Sequence, residues 1–260
     1  MYDITMRNRV LVMLDQGLTL SEVSRRTGVS RYAIREWRLR VEQGRDLYVG
    51  GPRDCPRCAE LPRPPDPPGA YSHLLGLYLG DGCISPVGDP AKSVWALRVI
   101  CANAWPGLMQ ECADSIRAVR PENKIRFIPR EGCTEVNSHS KHWTCLFPQH
   151  GPGMKHTRKI ELAGWQQEIV DEFSEEFVRG LLHSDGWRGT NRVRRKLKDG
   201  DHWYEYPRYN FTNVSSDIQR LFTDALDRLG IPWTQMNRKN ISIAKRDAVA
   251  RLDEFVGPKH

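Results

Sequence analysis

Two aspartates, Asp81 and Asp185, end two short segments of similar pattern that lie 104 residues apart. The first segment spans residues 74–82 (LLGLYLGDG) and the second spans residues 178–186 (VRGLLHSDG). Each segment is largely apolar and closes on Asp-Gly. Carboxylate oxygens are the ligands that Mg²⁺ prefers, and a bound divalent cation supports phosphodiester hydrolysis. If the two segments pack together, these acids predict a magnesium site that could cut a phosphodiester.

Small residues within both segments predict a close contact between two helices. Gly76 and Gly80 lie four residues apart, as do Gly180 and Ser184, so each pair falls on one helical face. Small side chains let two backbones approach more closely than the usual distance of about 8–10 Å. Because a helical glycine costs roughly 0.5–1 kcal/mol, we interpret these positions as a packed seam.

The glycines after the two acids, Gly82 and Gly186, predict left-handed residues that end each helix. Asp81 and Asp185 would then lie at helix C-termini, where the macrodipole disfavours a carboxylate and the two acids repel each other. A bound Mg²⁺ would relieve both penalties. One such segment alone would fit a packed core helix that ends in a turn equally well. The presence of two segments favours a metal site.

The paired segments resemble the two motifs of LAGLIDADG homing endonucleases in their single-chain, two-repeat form. The resemblance covers roughly residues 71–260. It implies a sequence-specific, Mg²⁺-dependent endonuclease that cleaves double-stranded DNA, with Asp81 and Asp185 holding the metal. The chain departs from the family at the sixth motif position, where Leu79 and His183 replace the usual acid. We interpret His183 as a packing residue.

The resemblance also implies a lysine or glutamine at the sheet edge near each acid, where it orders water. Lys245 follows a predicted strand in the second repeat, and Gln149 is its looser counterpart in the first. Lys245 would serve equally well as a plain phosphate contact.

Behind each motif, the chain repeats one order of predicted elements. In the first repeat, residues 71–172, the pattern predicts strands at 95–102, 124–128 and 142–147 and helices at 109–119 and 165–173. In the second, residues 173–260, it predicts strands at 192–198, 204–213, 232–237 and 240–244 and helices at 217–229 and 246–255. The predicted fold is α+β, a pseudo-symmetric pair of αββαββα repeats forming a DNA-binding saddle.

Basic residues alternate along two of these strands. Period two places four cations of the strand at 192–198 on one sheet face: Arg192, Arg194, Lys196 and Lys198. In the first repeat the alternating cations are Lys124, Arg126 and Arg130. We interpret both strands as DNA contacts, with Arg208, Asn210 and Thr212 as candidate base contacts. The alternative is a solvated edge strand guarded by charge.

The first 48 residues predict a separate, all-α helix-turn-helix head. Thr19 and Glu22 form a capping box, Gly28 makes a tight turn, and Ser30 caps a third helix. Four residues on the outward face of that helix are candidates for the major groove: Arg31, Tyr32, Arg35 and Arg38. The head resembles the small DNA-binding heads of resolvases and transposases. The alternative is a plain three-helix unit with a solvated basic face.

A proline-rich linker is predicted at residues 49–70, and it contains a Cys-x-x-Cys pair. Cys55 and Cys58 are half of a zinc site. Cys145, His150 and His156 would complete it if the linker folds back on the first repeat. Without these partners, the pair is two ordinary cysteines.

Composition favours a polyanionic partner, because the net charge is +7. The seven cysteines show no dense framework, which indicates a reducing compartment. We expect a cytoplasmic, nucleoid-associated monomer without a signal peptide, a transmembrane segment or a small-molecule substrate. Two alternatives to the endonuclease stay open: a non-cutting DNA-binding regulator, and a mobile-element protein that binds DNA for a partner enzyme.

Overall fold

The computed structural model describes residues 4–42, 65, 67–89, 92–197 and 200–259. Near the N-terminus lie α1 (Ile4–Asp15), α2 (Leu20–Thr27) and α3 (Arg31–Glu42). They share a small core that comprises Val10, Val23, Val29, Ile34 and Trp37. The predicted caps are present.

The caps of this region follow from its sequence. The Glu22 amide donates to Thr19 Oγ1 over 3.3 Å, and the Thr19 amide donates to Glu22 Oε2 over 2.9 Å. The Ala33 amide donates to Ser30 Oγ over 3.2 Å, which caps α3. Gly28 ends α2 with a φ of 71°, in the region that favours glycine.

Residues 68–172 form the first α+β unit. Its elements are α4 (Pro68–Asp81), β1 (Gly82–Pro86), β2 (Trp95–Ala102), α5 (Pro106–Val119), β3 (Ile125–Arg130), β4 (Cys133–Ser140), α6 (Trp143–Leu146) and α7 (Gly164–Glu172). A short 3₁₀ helix, Lys155–Thr157, lies between α6 and α7. The four strands pair antiparallel in the order β1-β2-β4-β3.

The second unit repeats this order. Its elements are α8 (Ser174–Asp185), β5 (Gly186–Leu197), β6 (Gly200–Thr212), α9 (Ser216–Arg228), β7 (Thr234–Gln235), β8 (Asn240–Ile243) and α10 (Arg246–Phe255). Its strands pair antiparallel in the order β5-β6-β8-β7. The predicted α+β fold with two αββαββα units is therefore confirmed.

One hydrophobic core includes residues of both units. Leu75 and Leu79 of α4, Phe177 and Leu181 of α8 and Phe222 of α9 are fully buried in it. Each sheet turns one face to this core and leaves the other face open, because successive strand side chains point to opposite sides. No helix within the described ranges is long and apolar enough to cross a membrane.

The predicted strand at 142–147 is wrong, because residues 143–146 form the helix α6. The neighbouring strand β4 was missed for a physical reason. Its sequence, CTEVNSHS, has little apolar alternation, yet Glu135, Asn137 and Ser138 are buried. Buried polar side chains, of which Asn137 donates from Nδ2 to Glu135 Oε1 over 2.7 Å, replace the usual apolar alternation, and β1 was missed as well.

The prediction of left-handed helix ends at Gly82 and Gly186 is also wrong. Their φ angles are −93° and −94°, in the extended region, and each helix runs directly into a strand. Close packing requires these glycines instead. A Cβ on Gly82 would lie 2.5 Å from Tyr78 Cα, and a Cβ on Gly186 would lie 2.6 Å from Leu182 Cα.

Candidate functional site

The helices α4 and α8, hereafter the seam helices, contact each other through their small residues. A Cβ on Gly76 would lie 2.6 Å from Phe177 O and 2.9 Å from Gly180 Cα. A Cβ on Gly80 would collide with the side chain of Ser184. The seam helices therefore approach closely only because these positions carry almost no side chain.

This contact brings Asp81 and Asp185 to one place. A Cβ on Gly80, the neighbour of Asp81, would lie 3.2 Å from Asp185 Oδ2. Desolvation, followed by the charge of Asp185, raises the pKa of Asp81 to about 6. The side chain of Asp81 is nevertheless exposed to solvent. The two carboxylates repel each other at the ends of the seam helices, as the sequence led us to expect.

Asp185 is held by a further side chain that the sequence did not indicate. Asn213, directly after β6, donates from Nδ2 to Asp185 Oδ2 over 2.6 Å. Desolvation raises the pKa of Asp185, while this hydrogen bond and the charges of nearby lysines lower it. Within the described ranges, no hydrogen bond reaches the Asp81 carboxylate, so the two acids differ in their surroundings.

Two lysines lie at the ends of the seam helices. Lys155 Nζ donates to the carbonyl oxygens of Tyr78, Leu79 and Gly80 over 2.5, 2.8 and 2.7 Å. Lys259 Nζ donates to the carbonyl oxygen of Gly186 over 2.6 Å. A cation at a helix C-terminus satisfies the last carbonyls and the macrodipole. Each seam helix thus ends on a lysine as well as an aspartate.

These lysines belong electrostatically to the acid pair. Desolvation lowers the pKa of Lys155 to about 8, and the charges of Asp185 and Asp81 oppose this shift. Desolvation also lowers the pKa of Lys259, against the same two acids. The site is therefore a partly desolvated cluster of two carboxylates and two ammonium groups.

We expect Lys155→Met to destabilise the protein by about 1–3 kcal/mol, because it leaves three carbonyls at the end of α4 without their donor. Lys245→Met is the matched control. Lys245 is exposed at the start of α10, so its loss should change stability by less than about 0.5 kcal/mol. Urea unfolding measures both variants, and equal midpoints would contradict the capping role of Lys155.

Asp185 lines an open cleft of about 430 Å³, and Gly80 and Gly82, the two neighbours of Asp81, line it as well. Gly80, Cys83, Lys155, Asp185 and Asn213 are among the residues that line it. Carboxylate and amide oxygens are hard ligands that suit Mg²⁺. The Asp81 carboxylate is exposed and accepts no hydrogen bond within the described ranges, so its oxygens are available to such an ion. The donor set at Asp81 and Asp185 therefore fits the implied Mg²⁺.

Neither predicted water-ordering residue joins this cluster. Gln149 is buried and donates to the Glu161 carbonyl over 2.8 Å and to Gln166. Its amide is thus committed to the core of the first unit, which corrects the predicted role. Lys245 is not among the residues that line the cleft or shift the pKa values of the acids. Lys155 and Lys259 lie where Gln149 and Lys245 were expected.

The structure gives no support to the zinc site predicted in the linker. Cys55 and Cys58 lie outside the described residues. The Nδ1 atom of His150 lies 3.3 Å from the carbonyl oxygen of Phe147, and the His150 ring packs edge-on against Trp95. Cys145 belongs to α6 and His156 to the short 3₁₀ helix, and they form no metal-type cluster with His150 among the residues described.

The predicted DNA-contacting residues of the second unit divide between the two faces of its sheet. Arg208 and Asn210 alternate with the buried Tyr209 and Phe211, so they point to the open face. The register pairs Arg188 with Tyr209. Even-numbered residues of β5 therefore point to the same side as Tyr209, the core side. Arg192, Arg194 and Lys196 are among them, so they lie on the other face of the sheet from Arg208. Lys198 lies outside the described residues.

Several of these cations are already paired. Arg192 lies 3.2 Å from Glu205 and stacks on Trp203 at 4.3 Å, and Arg194 forms an ion pair with Asp201. The open face instead presents Arg195, Arg208 and Asn210 together with two exposed aromatics, Trp187 and Tyr204. Arg208 Nη2 donates to Ser242 Oγ over 2.7 Å, which fixes its position.

The first sheet also has a basic open face. Asn137 of β4 pairs with Arg98 of β2 on one side and with Arg126 of β3 on the other, so the three side chains share one face of the sheet. Arg98 and Arg130 lie 3.4 and 3.2 Å from the buried Glu135. Lys124 precedes β3 and is exposed, and Arg126 is exposed on β3. Sequence reasoning missed the contact of Arg98 with Glu135 because it missed β4, although it predicted the strand that carries Arg98.

In the N-terminal region, α3 carries the predicted groove-contacting residues. Arg31 and Arg35 are exposed, and Arg38 forms an exposed ion pair with Glu42 over 2.8 Å. The position of the Tyr32 side chain lies outside what the structure describes. The buried Ile34 and Trp37 fix which face of α3 points outward.

No family model and no curated protein matches the chain. Among solved structures it is similar to I-DmoI in complex with DNA and Mn, at 17% identity over 74% of this chain and 98% of that chain, with a TM-score of 0.46. It is similar to the LAGLIDADG meganuclease I-AabMI bound to uncleaved DNA, at 11% identity over 71% and 82% of the chains, with a TM-score of 0.46. It is also similar to the N-terminal LAGLIDADG domain of DUF199/WhiA, at 10% identity over 74% and 83%, with a TM-score of 0.41.

Proposed function

We propose that this protein is a site-specific endonuclease that hydrolyses double-stranded DNA with Mg²⁺ held by Asp81 and Asp185. One observation carries the proposal. Two acids from equivalent ends of two matched helices lie close together beside an open cleft that Asp185 lines, although their charges repel each other there. Folding alone would favour neutral residues at these positions, so the presence of both acids is best explained by a bound cation.

The residues of the site supply complementary contributions to the reaction. Mg²⁺, when bound, supplies Lewis acidity and an activated water. Asn213 fixes the orientation of Asp185 through its 2.6 Å hydrogen bond. Lys155 and Lys259 hold the ends of the seam helices in place and add positive charge where a phosphate would approach.

The open sheet faces are the proposed DNA surface, with the chain acting as a monomer. The first face offers Arg98 and Arg126, and the second offers Arg195, Arg208 and Asn210. Guanidinium groups suit phosphates and guanine edges, and Asn210 suits an adenine edge. Exposed aromatic side chains on the second face, such as Trp187, add contact area beside these polar groups.

We expect Arg126→Ala to weaken DNA binding and to lower the slope of log K against log salt by about 1. Arg194→Ala is the matched control, because Arg194 lies on the opposite face of its sheet and pairs with Asp201. Its loss should leave both affinity and slope nearly unchanged. Binding isotherms at several salt concentrations measure this, and a larger effect of Arg194→Ala would mean that DNA contacts the other face.

The N-terminal helices are proposed as a second DNA-contacting unit, with α3 entering the major groove. Arg35→Ala should weaken binding about tenfold, equivalent to about 1.4 kcal/mol, on DNA that includes the site of this unit. The control is Arg9→Ala, which removes an exposed arginine from α1. Equal affinities of the two variants on long and shortened duplexes would mean that α3 contacts something other than DNA.

A second candidate function is a DNA-binding regulator that does not cut. The observation in its favour is that the charges of Lys155 and Lys259 already oppose the rise that burial causes in the pKa values of both acids. In this alternative, the ammonium groups balance the carboxylates permanently and the cluster only supports the seam. Both candidates use the same DNA surface.

Site selection followed by a metal switch separates the two candidates. Duplexes bound by the full-length chain would be selected from a random pool in Ca²⁺, and Mg²⁺ would then be added to the selected sites. The endonuclease predicts cut ends at a fixed position that appear only with Mg²⁺. Tight, specific binding without cut ends would establish the regulator instead.

A further inference from the structure

Three side chains that the proposed reaction and the DNA surface do not use converge beside the seam. They are His73 of α4, Glu111 of α5 and His183 of α8. One potential ligand atom from each lies within 4.8 Å of the other two. Both histidines are buried, and Glu111 reaches partial exposure. In the part of the chain that the structure describes, this is the one such cluster of His, Cys, Asp and Glu.

The hydrogen bond of His183 determines which of its nitrogens is available. Nε2 lies 2.8 Å from the carbonyl oxygen of Val256, which can only accept, so Nε2 donates. In the neutral ring Nδ1 then carries the lone pair. This Nδ1 lies 3.3 Å from Glu111 Oε2 and has no hydrogen bond in the structure. Two acceptors therefore face each other at close range.

His73 presents a second buried nitrogen to the same place. Its Nδ1 lies 2.8 Å from Ser115 Oγ, which can accept from it. Its Nε2 is buried without a hydrogen-bond partner. Desolvation, followed by the charge of Arg179, lowers the pKa of His73. Its ring stands at 87° to that of His183, with centroids 6.0 Å apart.

We propose that His73, Glu111 and His183 bind one Zn²⁺ that joins α5 to the two seam helices. Two imidazole nitrogens and one carboxylate are a donor set that zinc accepts. Tetrahedral bonds of about 2.0–2.1 Å separate neighbouring ligand atoms by about 3.3 Å, which matches the distance from His183 Nδ1 to Glu111 Oε2.

The surroundings of the two histidines also suit a metal. Ligating histidines usually donate their other N–H to a carbonyl, a carboxylate or water, which fixes the ring. The Val256 carbonyl serves His183 in this way, and Ser115 serves His73. The partly exposed Glu111 leaves a route from solvent, and water from that side would complete the coordination.

Arg179 is the competing cation. Its Nη2 lies 2.7 Å from Glu111 Oε2, and its side chain is 36% exposed. Without metal, Arg179 holds the Glu111 carboxylate in a partly exposed ion pair. With zinc bound, Arg179 can turn to solvent. Removing its charge should therefore strengthen zinc binding, whereas a purely structural ion pair would only lose stability.

Zinc titration of the metal-stripped, full-length chain tests the site. Cys55→Ser and Cys58→Ser would be present throughout, so that linker thiolates cannot contribute. Competition with a chromophoric chelator should show one Zn²⁺ per chain, and zinc should raise the melting temperature. Glu111→Gln and His73→Gln should each weaken binding by more than about 100-fold, since loss of an outer partner alone costs roughly 10–100-fold.

Two further variants make each outcome decisive. Asp81→Asn with Asp185→Asn should leave the zinc affinity unchanged, which separates this site from the proposed Mg²⁺ site. Arg179→Gln should tighten binding. The proposal would be overturned if Glu111→Gln bound zinc as tightly as the parent protein with all three ligands intact. It would also be overturned if the parent bound no zinc when one equivalent of Zn²⁺ was added. If His73→Gln fails to fold, the part-exposed Glu111→Gln decides the question alone.

Discussion

Asp185→Asn should abolish Mg²⁺-dependent cleavage, by about 10²–10³-fold or more, while DNA affinity stays within a few-fold. The amide keeps the shape of the side chain and its contact with Asn213, but it removes a charge that the metal requires. Asp81→Asn should have the same effect. Cleavage rates and binding isotherms on one selected duplex measure this. Unchanged cleavage in either variant would contradict the assignment of the metal to these two acids.

Asp81→Asn should also stabilise the metal-free protein, because ionised Asp81 is partly desolvated and repelled by the charge of Asp185. The pKa of Asp81 is raised from 3.8 to about 6, so the folded state binds this proton more tightly than the unfolded chain. Stability contributed by protonated Asp81 is therefore lost as pH rises through this window. Asp81→Asn should raise the metal-free melting temperature at about pH 8 and leave it unchanged at about pH 3.

Gly180→Ala should destabilise the protein by about 1–3 kcal/mol despite the better helix propensity of alanine. Its Cβ would collide with the backbone carbonyl of His73 and lie 3.1 Å from Gly76 Cα. Backbone atoms of a packed helix cannot move aside cheaply. Gly180→Leu should be more damaging still, and the seam helices would separate together with the acids that they carry.

Gly151→Ala is the matched control for this substitution. A Cβ there would meet only the side chain of Arg158, at 3.5–3.6 Å, which is ordinary contact. Its effect should remain within about 0.5 kcal/mol. Urea unfolding compares the two variants, and a Gly180→Ala protein as stable as Gly151→Ala would show that the seam helices do not pack as described.

The seam and its acids were predictable because the information lies within two short segments. Small residues four apart give the contact, and the residue after each pair gives the acid. Gly82 and Gly186 were correctly predicted to follow the ends of the two helices, but the predicted reason, a left-handed conformation, was wrong. The local sequence pattern indicates that the helix ends at Gly82. The packing of Tyr78, whose Cα would lie 2.5 Å from a Cβ on Gly82, is visible only in the structure.

The remainder of the site depends on contacts between distant parts of the chain. Lys155 bonds to carbonyls 75–77 residues away, and Lys259 bonds to one 73 residues away. No spacing in the sequence connects such pairs. Gln149 illustrates the opposite error, because a plausible position near a predicted strand proved to be a buried core amide once β4 and α6 were known.

The sheet faces show how strand register decides which side chains point to the open side. Alternation correctly placed Arg192 and Arg194 on one face, but it could not say which face looks away from the helices. The pairing of Arg188 with the buried Tyr209 decides this and reverses the expectation. A one-residue difference in register would have exchanged the two faces.

The most direct measurement of the central claim is the position of Mn²⁺ in crystals of the full-length chain bound to a selected DNA duplex. Anomalous scattering locates this ion without assumptions about cleavage. The proposed function predicts a peak at the cleft, about 2 Å from carboxylate oxygens of both Asp81 and Asp185. A well-ordered DNA complex with no Mn²⁺ at these acids, and with Lys155 and Lys259 still bound to the carbonyls at the ends of the seam helices, would contradict it and establish a purely structural cluster.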